Sequence, residues 1–214
     1  IISEASKNKE IRKDLINPYG LNPKGEKNGP DQRDLNSVIF DKKIKKWIAP
    51  FLMAGINTKI VRRSNALSNY TYGKNFRYDE AVMTGNGFIG KLKGIMVSIP
   101  LVFLAAKPGS IMKSIFNILS PNPGQGPNKK EREAGYFNIR FYVFGESVIS
   151  IYKVTGDRDP GYGSTSKMLA ESAVCLAKDS LNESYGVLTP STSMGDKILK
   201  RLELNAGLKF SKIK

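Results

Sequence analysis

The residues best suited to do chemistry lie in one short stretch, Asp159-Pro160-Gly161-Tyr162-Gly163-Ser164-Thr165. Glycines on both sides of Tyr162 allow close backbone approach. A helix following the stretch offers free N–H groups and the positive end of its dipole to an anion. A tyrosine there can donate a proton or orient a carbonyl. The competing reading is local: Asp159 accepts from neighbouring amides and the stretch is a loop. A second candidate is Arg62-Arg63-Ser64-Asn65. Guanidinium groups grip phosphates and carboxylates bidentately, which makes Arg62, Arg63 and Asn65 an anion or substrate clamp. Its alternative is a solvated surface pair.

Two further strings look like ligand loops and carry less. Gly85-Asn86-Gly87-Phe88-Ile89-Gly90 matches G-x-G-x-x-G. A dinucleotide loop needs a buried parallel strand before it and an acid about twenty residues on. The preceding Arg77-Tyr78-Asp79-Glu80 is too charged for such a strand, and residues 91–128 contain no acid. The expectation is a Gly-rich turn. Pro123-Gly124-Gln125-Gly126-Pro127 has two prolines that supply no donors, so it reads as a structural turn. Cys175, the single cysteine, sits among Ala173, Val174 and Leu176 and reads as a buried, inert thiol.

Composition bounds what these residues can be. The 214 residues hold no histidine, which removes Ser-His-Asp and Cys-His triads and His-ligated zinc from this chain. One cysteine allows no internal disulfide and no Cys-rich metal site, consistent with a reducing compartment, so no metal is expected. The formal charge of +15 calls for an anionic partner or a solvated basic surface. No RNP, zinc-finger, KH or helix-turn-helix signature is present, so nucleic acid is not expected. Lysines concentrate at Lys42, Lys43, Lys45 and Lys46. The start, Ile1-Ile2-Ser3-Glu4, is neither an initiator methionine nor a signal peptide, and reads as a piece of something longer.

The elements that must position these residues follow from periodicity. Ser3–Ile16 reads as a helix bounded by Pro18, Asn22–Asp34 as a loop, and Ser37–Phe40 as a short strand. Trp47–Val61 is apolar with an ambiguous period, and Asn75–Thr84 is strand-like. Gly94–Ala106 is the most apolar run, interrupted by Pro100 and flanked by Lys91, Lys93 and Lys107. It is shorter than the ~20 residues of a spanning helix, so it reads as a buried core helix or, second, as a membrane or acyl-chain surface. Pro108–Leu119 continues as helix. From Phe137 the period becomes two, giving a hairpin over Phe137–Val154. Ser164 or Thr165 caps a helix to about Lys178, a second helix starts near Ser193 with a Ser193–Asp196 cap and ends at Gly207, and Leu208–Ile213 is a final strand. This pattern is α+β: a largely antiparallel or mixed sheet with helices on one face.

Several strings taken together carry a resemblance. They are INTKIVRRSNAL (Ile56–Leu67), YGKNFRYDE (Tyr72–Glu80), PGQGP (Pro123–Pro127), DPGYGSTSKMLAESAVCLA (Asp159–Ala177) and GVLTPSTSMGD (Gly186–Asp196). The chain resembles the C-terminal half of saccharopine dehydrogenase-like oxidoreductases, a group that includes trans-acting enoyl reductases of lipid biosynthesis. The resemblance implies that residues 1–214 are one substrate or dimerisation-type domain, whose C-terminal helices would pack on an N-terminal Rossmann domain absent here. It implies NADP or NAD bound mainly by that missing domain, a lipid-like or acyl substrate, and a fragment inactive by itself. On this view Tyr162 and Asp159 are the catalytic candidates, Gly161, Gly163 and Thr165 lie nearest the cofactor, and the apolar run Ile95–Leu104 approaches the acyl chain. A homo-oligomer and a cytoplasmic or membrane-peripheral location fit the same picture. The alternative is a non-catalytic module that docks on an anionic membrane through Lys42–Lys46, or on an acidic acyl-carrier protein.

Overall fold

Helices form where capping and apolar spacing permit them, and strands where the period falls to two. The computed structural model describes residues 8–105, 124–145, 149–181 and 185–214, together with residues 111, 114, 115 and 118. The chain divides into two compact units, 1–120 and 121–214. Each has its own three-stranded sheet, and every described pairing is antiparallel. The α+β expectation holds, with the strands shared between two small sheets.

In the first unit, α1 (Lys9–Ile16) starts at Asn8, whose side chain accepts from Glu10 N and Ile11 N. Strands β1 (Ile39–Asp41) and β2 (Lys46–Pro50) form a hairpin with Asp41 opposite Lys46. Helix α2 (Ala54–Leu67) links β2 to β3 (Ala81–Gly85), which pairs with β2. The ambiguous Trp47–Val61 stretch is therefore half strand and half helix, split by a turn at residues 51–53. The strand expected over Asn75–Thr84 forms only from Ala81 on, because the residues before it are taken up in loop contacts: Arg77 donates to Asp31 O at 3.3 Å, and Glu80 accepts from Asn57 Nδ2 and the Tyr78 hydroxyl, each at 2.9 Å.

Helix α3 (Gly87–Ala105) packs on β2 and β3 and runs straight through Pro100. Its large apolar side chains are exposed rather than buried, which overturns the core-helix expectation. The helix expected over Pro108–Leu119 falls largely outside the described residues.

The second unit opens with α4 (Lys129–Ala134), capped by a reciprocal box between Asn128 and Glu131. The period-two segment forms β4 (Phe137–Phe144) and β5 (Ile149–Gly156), paired from Phe137↔Gly156 to Phe144↔Ile149. Helices α5 (Gly163–Lys178) and α6 (Pro190–Asn205) pack together, and β6 (Leu208–Lys212) returns along β5. Cys175, Met194 and Ile198 make the core between the two helices, with Leu181 and Leu202 against it. Cys175 is buried, as its neighbours imply, and that burial pushes its thiol up, with the bond to Asp179 acting in the same direction.

Two caps differ from expectation. Helix α6 is entered at Thr189, before the expected Ser193: Pro190 takes the first turn, where a missing N–H costs nothing, and Thr189 and Thr192 form the box, while the non-helical Gly195 (φ 51°) kinks the span within the expected Ser193–Asp196 cap. Neither Ser164 nor Thr165 caps α5, since Ser164 Oγ donates to Arg158 O and Thr165 Oγ1 to Pro160 O. Gly207 does take the left-handed conformation after α6, with φ 73°.

Candidate functional site

In the second unit, Asp159 organises the loop that carries Tyr162. Its Oδ1 accepts from Gly161 N at 2.9 Å and Tyr162 N at 3.1 Å, and its Oδ2 from Gly163 N at 2.5 Å. These bonds, that from Gly163 first, hold the carboxyl below its ordinary range. Asp159 is thus an ionised cap at the start of α5, lying where the helix dipole favours negative charge. The local reading of this residue is the one the geometry supports. The N–H groups of Gly161 and Gly163 are engaged by Asp159, and Thr165 is engaged by Pro160.

The loop is pinned from behind. Asp159 N donates to Arg132 O at 3.1 Å, and a Cβ on Gly135 would stand 2.6 Å from Asp159 Cα. Gly135 is thus required by close approach. Tyr162 itself is 58% exposed, and among the described residues its hydroxyl has no hydrogen-bond partner. A Cβ on Gly126 would lie 3.4 Å from the Tyr162 ring, so the Gly-Pro loop flanks the tyrosine at contact distance. Beside the loop is a hollow of about 230 Å³ lined by Lys129, Arg132, Arg158 and Lys167. Glu133 bridges Arg158 at 3.4 Å and Asp157 bridges Lys167 at 3.4 Å, which offsets part of that charge. Sequence reading missed this hollow, because its cations come from three separate elements.

In the first unit, the Arg62 group turns inward. Arg62 is 3% exposed. It donates to Tyr78 O at 2.9 Å, Pro18 O at 3.3 Å and Thr58 Oγ1 at 3.3 Å, and its guanidinium lies 5.8 Å from the Tyr19 ring centroid. Thr58 Oγ1 in turn donates to Asp34 Oδ1 at 3.2 Å. Of the Arg62 guanidinium nitrogens, Nε is buried without a partner among the described residues, as is Asn22 Oδ1. Burial works against the charge of Arg62, and Asp34 works for it. Arg63 donates to Leu21 O, and Asn65 holds the 70–73 turn by donating to Gly73 O and accepting from Tyr72 N. The three residues are together on α2, and their side chains tie down backbone loops. Asp34 and Tyr78 belong to the same network and were not legible in the sequence, since they sit far along the chain from Arg62, whereas Thr58 lies one helical turn before it.

An open hollow of about 630 Å³ lies alongside, lined among others by Ile16, Pro18, Gln32, Asp34 and Lys59. Burial lowers the Lys59 ammonium, opposed by Asp34.

The described residues do not build a dinucleotide site. The G-x-G-x-x-G string does connect a strand to a helix, and Gly90 is needed because its Cβ would meet Gly85 O at 2.7 Å. But β3 is antiparallel to β2, and the start of α3 is flanked by exposed Phe88 and Ile89. Around Tyr162 the glycine amides are already taken.

The chain matches no protein-family model and no solved structure. It is 34% identical over 219 residues to a Mycobacterium tuberculosis protein provisionally assigned as a trans-acting enoyl reductase, covering 94% of this chain and 51% of that protein. It is 35% identical over 162 residues to a trans-acting enoyl reductase of Mycobacterium ulcerans, covering 73% of this chain and 39% of the relative. A trans-acting enoyl reductase of Mycobacterium bovis is 32% identical over the same length. The chain thus spans about half the length of the first of these relatives and less of the others. Over nearly its whole length, it is a homologue of proteins named trans-acting enoyl reductase.

Proposed function

We propose that this chain is the substrate-binding part of a saccharopine dehydrogenase-like oxidoreductase that reduces the carbon–carbon double bond of an enoyl group on a lipid-like acyl chain. The observation that carries the reading is Tyr162, whose backbone is fixed by the ionised Asp159 and whose hydroxyl has no hydrogen-bond partner among the described residues, in a chain homologous to proteins named trans-acting enoyl reductase. Reduced NADP or NAD, held by a domain that is not part of this chain, would supply the hydride, and solvent the proton that completes the saturated bond.

The chain's own contribution is electrostatic and positional. The Tyr162 hydroxyl donates to the acyl carbonyl oxygen, where negative charge develops as the double bond is reduced. Asp159 is a positioning residue: it sets the loop, and the amide bonds that hold its carboxyl below the ordinary range keep it an ionised acceptor rather than a proton donor.

In the complete enzyme, Tyr162→Phe is expected to lower kcat by about tenfold or more with cofactor affinity intact. Unchanged turnover rejects the role. Asp159→Asn weakens the loop while leaving the tyrosine in place, so a smaller loss of kcat with a larger rise in KM separates positioning from chemistry.

A further inference from the structure

The outer face of α3 is the largest feature of the first unit that this reaction leaves unused. The helix presses its smallest residues onto the sheet. A Cβ on Gly90 would stand 2.6 Å from the carbonyl carbon of Gly85, and one on Gly94 would stand 2.7 Å from Val38 Cγ1. Large residues occupy the remaining faces. Phe88 is 79% exposed and Met96 61%, and Ile89, Leu92, Ile95 and Ile99 are exposed with them. An ordinary surface helix buries its large apolar residues and shows polar ones. This helix buries Gly90 and Gly94 and turns its large apolar residues outward beside Lys91 and Lys93, and an exposed apolar face marks contact with something apolar.

Charge identifies what that is. Strands β1, β2 and β3, the 42–45 turn and α3 together carry six lysines, Lys42, Lys43, Lys45, Lys46, Lys91 and Lys93, against one acid, Asp41. Asp41 is occupied in the turn, where its Oδ1 accepts from Lys43 N and Ile44 N. The sheet register brings the lysines to the start of the helix. Lys46 lies opposite Asp41, the next residue Trp47 lies opposite Gly85, and α3 begins at Gly87. Lys91 Nζ sits 5.5 Å from the Trp47 ring centroid. The lysine turn, the sole tryptophan and the protruding Phe88-Ile89 pair thus share one end of the sheet.

Cations beside an aromatic ring and apolar anchors suit the boundary between headgroups and acyl chains. At 19 residues, α3 is about 28 Å long, and no described helix is long and apolar enough to cross a membrane. A second copy of the chain would set these lysines against themselves under two-fold symmetry, which like charge opposes.

We infer that α3 and the 42–46 turn form a docking surface for a phospholipid bilayer bearing anionic headgroups. The helix lies along the interface, Phe88 and Ile89 enter the acyl boundary, and the lysines meet phosphates. This holds whether or not the chain takes part in enoyl reduction.

The test uses the full chain with vesicles of phosphatidylcholine alone and of phosphatidylcholine mixed with phosphatidylglycerol. The expected result is sedimentation with the anionic vesicles, weakened by salt, with Trp47 fluorescence quenched by brominated acyl chains. Phe88→Ser with Ile89→Ser should weaken binding by about tenfold or more. Lys42→Glu with Lys45→Glu should remove the preference for anionic lipid. An unchanged circular dichroism spectrum shows that each variant folds. The inference is overturned by absence of vesicle binding, by equal binding to both vesicles without salt dependence, or by binding that leaves Trp47 unquenched. Self-association or capture of an acidic carrier protein that the serine variant abolishes, without vesicle binding, also overturns it.

Discussion

Both units bury apolar side chains, but among the described residues the first also buries Asn22, Thr58, Arg62, Ser64 and Asn65, and the second Ser164 and Thr189. The second unit follows the usual arrangement: Cys175, Met194 and Ile198 are inside, and an ion cluster lies at the rim. There Arg201 grips Asp179 with Nε at 2.8 Å and Nη2 at 2.6 Å and reaches Glu171 with Nη1 at 3.2 Å, joining α6 to α5. The first unit buries Thr58, Arg62, Ser64 and Asn65 and leaves an apolar helix facing out. A fold that spends its interior on polar groups holds loops in place rather than maximising apolar burial. A helix with its large residues outward is shaped for a surface that the unit does not itself supply.

The largest expected break in this contrast is Arg62→Met. It strands the carbonyls of Pro18 and Tyr78 and removes the donor to Thr58 Oγ1, and should destabilise the first unit by about 3–5 kcal/mol in urea unfolding. If Arg62 were instead a ligand clamp, stability would hold and anion affinity would fall.

In the second unit, Ile198→Ala should cost about 2–4 kcal/mol through an apolar cavity, measured in the same way. A loss well below this range would mean that the α5–α6 core is not what holds the unit.

The rim cluster predicts a pH signature. The Arg201 bonds bring Asp179 from 3.8 down to about 2, so its folded value lies below its unfolded one. Its stabilisation is present above pH 3.8 and is lost as pH falls toward 2. Asp179→Asn should lower stability at neutral pH and flatten the acid limb between those values, read as the midpoint of thermal unfolding against pH.

The smallest effect sharpens the contrast: Phe88→Ser, on an exposed position, should change stability by less than about 0.5 kcal/mol. A large loss would mean that Phe88 is buried in the folded chain.

How much of this was legible in the sequence follows from the range of each interaction. The β4–β5 hairpin could be read because alternation is a property of neighbouring residues. The loop reading of Asp159 could be weighed because its acceptor geometry spans four residues. The role of Arg62 could not, since Pro18 O and Tyr78 O are 44 and 16 residues away along the chain. The facing of α3 was also out of reach: a run that is apolar all round has no polar stripe to orient it, and only the close fit of Gly90 and Gly94 shows which side meets the sheet. The start of α6 was legible only in part: the Ser193–Asp196 stretch falls at the Gly195 kink, and a second Ser/Thr-rich cap in tandem, opened by Pro190, adds the turn before it.

Gly207 closes the second unit in a way that depends on having no side chain at all. A Cβ there would stand 2.4 Å from the Asp157 carboxylate, and the next residue, Leu208, begins the pairing of β6 with Gly156. The Asp157 carboxylate is the tip of a flexible side chain and can give way, so what holds glycine here is the left-handed backbone at φ 73°. A side chain at that point would strain the turn that sets the starting end of the five β5–β6 pairs.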